Sequence, residues 1–129
     1  MRATELMCGD LILADGRPIR IYGVMERMNR FYDTMTNDVS IKRCEPIPLT
    51  PEILEKNGFE TQELGGGRVV LWTGFGDDNQ YDIEIEFRED KTIYTKIDGP
   101  TYFVSWRIKH VHKLQHALRL CGIEKEITI

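Results

Sequence analysis

An α+β fold built on antiparallel sheet is what this chain of 129 residues predicts, and three features of it carry the prediction. Short runs with an apolar residue at every second position recur along the chain. Clusters of Gly, Asp, Asn and Pro separate those runs. Only two stretches carry helix signals, a short one opened by Thr50-Pro51 and a longer one near the C-terminus. Strands joined by tight turns rather than by helices pair antiparallel, because a parallel crossover needs a dozen or more residues.

The first alternating run is Asp10-Leu11-Ile12-Leu13-Ala14, followed by Asp15-Gly16 and then by Arg17 to Val24. Asp-Gly between two such runs predicts a hairpin, since the tight turn needs positive φ and these two residues tolerate it. A polar stretch from Glu26 to Asp38 ends in the turn-forming Thr36-Asn37-Asp38, and Val39 to Cys44 resumes the alternation. Several short strands in about fifty residues predict a small SH3-like barrel or a meander. Pro46 and Pro48 donate no backbone hydrogen bond, so that segment is expected to leave the sheet as an extended connector.

Thr50 as N-cap with Pro51 at the first helical position opens a short helix that Asn57-Gly58 closes. After Gly65-Gly66-Gly67 a second β-rich block is expected, with strands over Arg68 to Thr73, Tyr81 to Arg88, Thr92 to Ile97 and Thr101 to Trp106. In Tyr81 to Arg88 the period of two sets Tyr81, Ile83, Ile85 and Phe87 against Asp82, Glu84 and Glu86, one face core and one wet. The closing helix is expected from about Ile108 to Leu120 with Gly122 at its C-cap. Its apolar stripe is Val111, Leu114, Ala117, Leu118 and Cys121. The division expected is a β-rich SH3-like module over 1–49, a short helix and connector over 50–59, and an antiparallel sheet with the C-terminal helix over 60–129, within one compact unit.

Composition bounds the function classes. Hydrophobic residues are 41% and charged residues 29%, which is the range of a folded globular chain. No run of about 18 apolar residues is present, and MRATELMCGD lacks the apolar core of a secretory signal, so the expected address is the cytoplasm. Cys8, Cys44 and Cys121 form no C-x-x-C pair, and we expect buried or half-buried thiols rather than a disulfide framework or a zinc ribbon. The net charge of −4 argues against a protein whose main task is to coat nucleic acid. Charge is also uneven: residues 1–50 hold 7 basic and 7 acidic residues, 51–105 hold 5 and 12, and 106–129 hold 5 and 2. The basic end either packs beside the acidic sheet face or forms a local site for an anion.

His110, His112 and His116 invite a metal reading, because histidines at i and i+4 of a helix can share an ion. The helical wheel sets His112 and His116 opposite the apolar stripe, beside Lys113 and Arg119. Lys113 stands where H-E-x-x-H has its glutamate. A solvated basic face and no metal are therefore expected. Asp82, Glu84 and Glu86 could serve a magnesium-dependent nuclease only with further groups the sequence does not supply, so they too are expected on a wet face. Gly65 to Arg68 and Gly74 to Asp78 are rich in glycine but open no helix, which excludes phosphate-cradling motifs and leaves hairpin loops. Their neighbourhood is the candidate ligand site: Arg68, Trp72, Phe75, Tyr81 and Arg107 bring cations and rings close together, the composition that stacks a base and holds a phosphate. No nucleophile signature is present, so no catalytic residue and no cofactor are expected.

Two blocks, Glu45-Pro46-Ile47-Pro48-Leu49-Thr50-Pro51-Glu52-Ile53-Leu54-Glu55-Lys56-Asn57-Gly58-Phe59 and Val111 to Ile123, resemble a group of small uncharacterised proteins from gut anaerobic bacteria and their phages and mobile elements. The blocks cover under a third of the chain. The resemblance implies a variable region over about 60–105 and an aromatic preference at His110, where the group tends to carry tyrosine. It implies a genomic setting and no activity. The expectation from residues and setting together is a non-enzymatic binding protein of a phage or mobile element, of the counter-defence kind. It would hold a small anionic or nucleotide signal or occlude a host protein, with a homodimer compatible with either. The alternatives are an SH3-like nucleic-acid-associated module and a metal-dependent phosphodiesterase or nuclease.

Overall fold

The computed structural model describes residues 6–25, 30–32, 38–75, 81–99 and 103–129. It is an α+β architecture whose sheets are antiparallel throughout. Two compact units divide the chain: the first takes residues 1–48 and 110–117, the second 49–109 and 118–129.

In the first unit, β1 (Leu11–Ala14) and β2 (Arg17–Arg20) form the hairpin expected at Asp15-Gly16. Both turn residues sit at positive φ, 49° and 77°, which is what a turn compatible with strand twist demands. The Arg43 guanidinium pairs with Asp15 at this turn and holds its carboxyl below the usual carboxylate range. A second sheet, β3 (Gly23–Met25), β4 (Arg30–Tyr32) and β5 (Asp38–Ser40), is an up-and-down meander. Its middle strand lies inside the polar stretch expected to be a connection. One turn of 3-10 helix, Ile41–Arg43, interrupts the run expected to be continuous from Val39 to Cys44. The chain then returns as β6 (Cys44–Glu45) to pair with β1 in the order β2-β1-β6. The first fifty residues thus form two small sheets, and no barrel closes among the described residues. Leu6, Ile12, Ile21, Val39 and Cys44 make their shared core.

The second unit opens with α1 (Pro51–Lys56). Thr50 accepts a hydrogen bond from the Ile53 amide at 3.3 Å, the expected N-cap, and Gly58 at φ 88° ends the turn. The buried Asn57 side chain donates to the Ile53 carbonyl at 2.7 Å and the Thr128 carbonyl at 2.8 Å, and accepts from the Thr128 amide at 3.0 Å. The end of the chain is tied to the end of α1 by these bonds.

Five strands follow: β7 (Glu60–Gly65), β8 (Arg68–Phe75), β9 (Tyr81–Phe87), β10 (Ile93–Asp98) and β11 (Phe103–Trp106), in the order β11-β10-β9-β8-β7. This is the expected meander with one strand added. β7 has no alternating signal because all six of its residues are exposed, so neither face selects for apolar side chains. In β9 the expected split holds at its centre: Ile83 and Ile85 are fully buried, with Leu71 of β8 and Ile97 of β10 beside them in register, while Asp82 and Glu84 are exposed; Phe87 is half-buried and the Tyr81 side chain lies outside the described ones. Burying each such side chain stabilises the sheet by about 1.5–3 kcal/mol.

The last element, α2 (Val111–Leu120), starts three residues later than expected. The backbone before it is engaged in pairing: His110 bridges Pro48, and the Val111 amide donates to the Ile47 carbonyl at 2.9 Å. Gly122 at φ 74° closes α2, with the Ile123 amide donating to the Leu118 carbonyl at 2.9 Å. Among the described residues no helix is long and apolar enough to cross a membrane. Cys44 and Cys121 are buried, and Cys8, contrary to expectation, is exposed.

Candidate functional site

Antiparallel register sorts the residues of the second unit into two sets. Val70 faces Glu86 and Glu86 faces Tyr94; Trp72 faces Glu84 and Glu84 faces Lys96. Directly opposed residues project from the same side, so these positions share one face with Arg68 and, beyond the ends of β9 and β11, Arg88 and Arg107. The other set holds Leu71, Ile83, Ile85 and Ile97, the buried face.

The residues expected to form a ligand site take different register positions. Arg68, Trp72 and Arg107 belong with the open face. Phe75 and Tyr81 are paired at the far end of the β8–β9 ladder, at register positions in phase with Leu71 and Ile83, and their side chains lie outside the described ones.

Three groups not anticipated complete the open face. Arg68 donates through Nε to one oxygen of Glu86 at 2.7 Å, and Arg88 donates through Nη2 to the other at 3.2 Å. Arg68 first, and Arg88 after it, hold the Glu86 carboxyl below its ordinary range. The Arg88 guanidinium lies 4.0 Å from the centroid of the Tyr94 ring, a cation–π distance, and Arg107 donates to the Tyr94 hydroxyl at 3.2 Å. Arg68, Glu86, Arg88, Tyr94 and Arg107 thus form one continuous chain of contacts from β8 to the residue after β11. Lys96 and Glu84 pair at 3.7 Å beside it. Of the acidic stripe expected on a wet face, Asp82 and Glu84 are exposed and Glu86 is half-buried, and Glu84 and Glu86 are paired with cations of the same sheet.

The face is open. A broad depression of about 640 Å3 is lined by Gly66, Arg68, Arg88, Glu89 and Asp90, and a smaller one of about 220 Å3 lies over Leu64, Val70, Glu84, Glu86, Tyr94 and Lys96. Two arginines meet two carboxylates in the larger depression, so it carries no cationic excess. Asp90 is occupied by its own turn, accepting from the Thr92 amide at 2.9 Å. Tyr94, Arg88 and Glu86 were legible in principle, because any meander that pairs Ile85 with Thr95 must also pair Glu86 with Tyr94.

The histidines overturn a second expectation. His112 is 2% exposed rather than solvated, and neither of its ring nitrogens has a hydrogen-bond partner. Its ring stacks on His110 with centroids 5.8 Å apart and meets His116 edge-on at 5.7 Å. His116 Nε2 donates to Oδ2 of the buried Asp10 at 2.6 Å, and the Met7 amide donates to the same carboxylate oxygen at 2.9 Å. The helical wheel failed here because α2 is enclosed well beyond its apolar stripe: Gln115 is also buried. Among the described residues, no three His, Cys, Asp or Glu side chains are grouped as a metal would need.

Fold and face define the class: an α+β protein with an antiparallel five-stranded sheet that presents one mixed aromatic and arginine face. Comparison with known proteins found no matching family model, no matching curated protein and no matching solved structure.

Proposed function

We propose that this is a non-enzymatic binding protein that takes a protein partner on the open face of its five-stranded sheet. The observation that carries the reading is the chain Arg68–Glu86–Arg88–Tyr94–Arg107 with Trp72 on the same face. Tyr, Trp and Arg are the residues that dominate protein interfaces, since each offers a large surface and a polar tip at low entropic cost. Arg68 and Arg88 are already matched by Glu86, and the larger depression is wide open. Such a surface suits a mixed-charge protein partner better than a small anion, which needs uncompensated donors converging on one point. Occlusion of a host protein by a phage or mobile-element product, in the counter-defence manner, fits the genomic setting that the two sequence blocks imply.

The test is affinity capture from lysate of the host, comparing wild type with Trp72→Ala and Arg107→Glu at equal folded concentration. A partner retained by wild type and released by both variants supports the reading. Capture unaffected by either variant overturns it. A retained nucleotide in native mass spectrometry, or a melting temperature raised by mono-, di- or cyclic nucleotides, would replace it with the small-ligand reading.

A further inference from the structure

His112 belongs to the first unit and makes none of the contacts described for the sheet face, yet it is buried with both ring nitrogens unpaired. An imidazole is normally given at least one hydrogen bond when buried, because a lone polar atom in the interior forfeits its hydration without return. Here both nitrogens go without one, and the ring is used as an aromatic filler between His110 and His116. We propose that His112 makes the first unit an acid-released element: on acidification this unit opens ahead of the five-stranded sheet, freeing the first two turns of α2.

The groups facing His112 decide the sign. Asp10 is the one carboxylate among them within the described residues, and it is already engaged by His116 and the Met7 amide. His116, Lys113 and His110 oppose a further positive charge, and burial opposes it most. Burial first, partly offset by Asp10, pushes the His112 pKa down to about 4 from the ordinary 6.5. The unfolded chain takes up the proton near 6.5 and the folded chain only near 4, so folding is unaffected above that window and weakens as pH falls through it. Once the unit has opened, the His112 ring is hydrated and free to take up its proton.

The experiment is amide hydrogen exchange on the full chain at pH 7 and pH 5, corrected for the intrinsic pH dependence of exchange. It compares amides of β1, β6 and residues 111–117 with those of β8 and β9. The expected result is an opening equilibrium in the first group raised about 20-fold at pH 5, with β8 and β9 changed far less. In His112→Phe, which keeps a ring and removes the titration, that increase should disappear. Equal acid response in the two groups, or an increase that survives in His112→Phe, overturns the proposal. Should His112→Phe not fold, the ring signals of wild-type His112 followed by NMR decide the matter. Titration near the ordinary histidine value overturns the proposal, and titration below pH 5 supports it.

Discussion

His116 donates to Asp10 across 106 positions of sequence, at 2.6 Å. The two meet inside the first unit, one just ahead of β1 and the other in the second turn of α2. This bond is a principal tie between the beginning of the described chain and its last helix, and Asp10 is fully buried at one end of it. Replacing Asp10 with Ala strands both the His116 ring and the Met7 amide. We expect a loss of about 2–3 kcal/mol, seen as a lower urea midpoint. Asp10→Asn, which keeps an acceptor, should lose less. A midpoint unchanged in Asp10→Ala would show that the bond contributes nothing net.

Asn57 makes the corresponding tie in the second unit. Its amide satisfies the end of α1 and the backbone of Thr128 together, and Ile127 next to Thr128 is fully buried. Asn57→Ala is expected to cost about 1–3 kcal/mol, because two backbone carbonyls and one amide lose their partner. Removing residues 127–129 should cost at least as much. If both changes leave the thermal midpoint within a degree, the C-terminal segment is not docked as described.

Alternation in β9 gives a paired contrast. Ile85→Ala removes a fully buried side chain and should cost about 2–5 kcal/mol, whereas Glu84→Ala, exposed on the open face, should stay within about 0.5 kcal/mol. Chemical denaturation of the two variants side by side checks it. Similar costs for both would mean that the sheet does not bury the Ile85 face.

Thiol chemistry should follow exposure. Burial, with Asp15 adding to it, pushes the Cys44 thiol up to about 11, so little thiolate is present at pH 8. Cys8 is exposed and Cys121 buried. A maleimide or iodoacetamide time course on folded protein should label Cys8 first and leave Cys44 and Cys121 until denaturant is added. Early modification of Cys44 would contradict its burial.

Gly67 is a substitution-sensitive point of the β7–β8 turn. It sits at φ 73°, and a Cβ built there would come 3.0 Å from the Glu89 Cβ. Gly67→Ala therefore meets both strain and a contact that has to shift, and we expect about 1–2 kcal/mol of destabilisation. Gly66, also at positive φ but with open space around it, should show the backbone part alone. Equal thermal shifts for the two alanine variants would remove the steric half of the argument.

Most of the elements were legible because their signals are local. A turn that needs positive φ takes Asp-Gly, a helix that begins after Thr-Pro is capped by its own threonine, and a strand with one buried face alternates. Those preferences act over two to six residues and leave their mark in the chain itself. β7 escaped because an edge strand exposed on both faces has no reason to alternate, and β4 escaped because three residues are too few to show a period.

The candidate face and the histidine cluster lay beyond such reading for a different reason. Which residues share a side of the sheet follows from register, and register brought Arg88 and Tyr94 beside Arg68 and Glu86. His112 appeared solvent-facing on a helical wheel, since its position lies off the apolar stripe. Burial is a property of everything that surrounds a helix, including Asp10 more than a hundred residues away in sequence. The sequence by itself determined the tight turns, the helix caps and the strands with one buried face. Only tertiary packing decided which arginines meet a tyrosine and which imidazole is shut away from water, because those outcomes depend on contacts between segments distant along the chain.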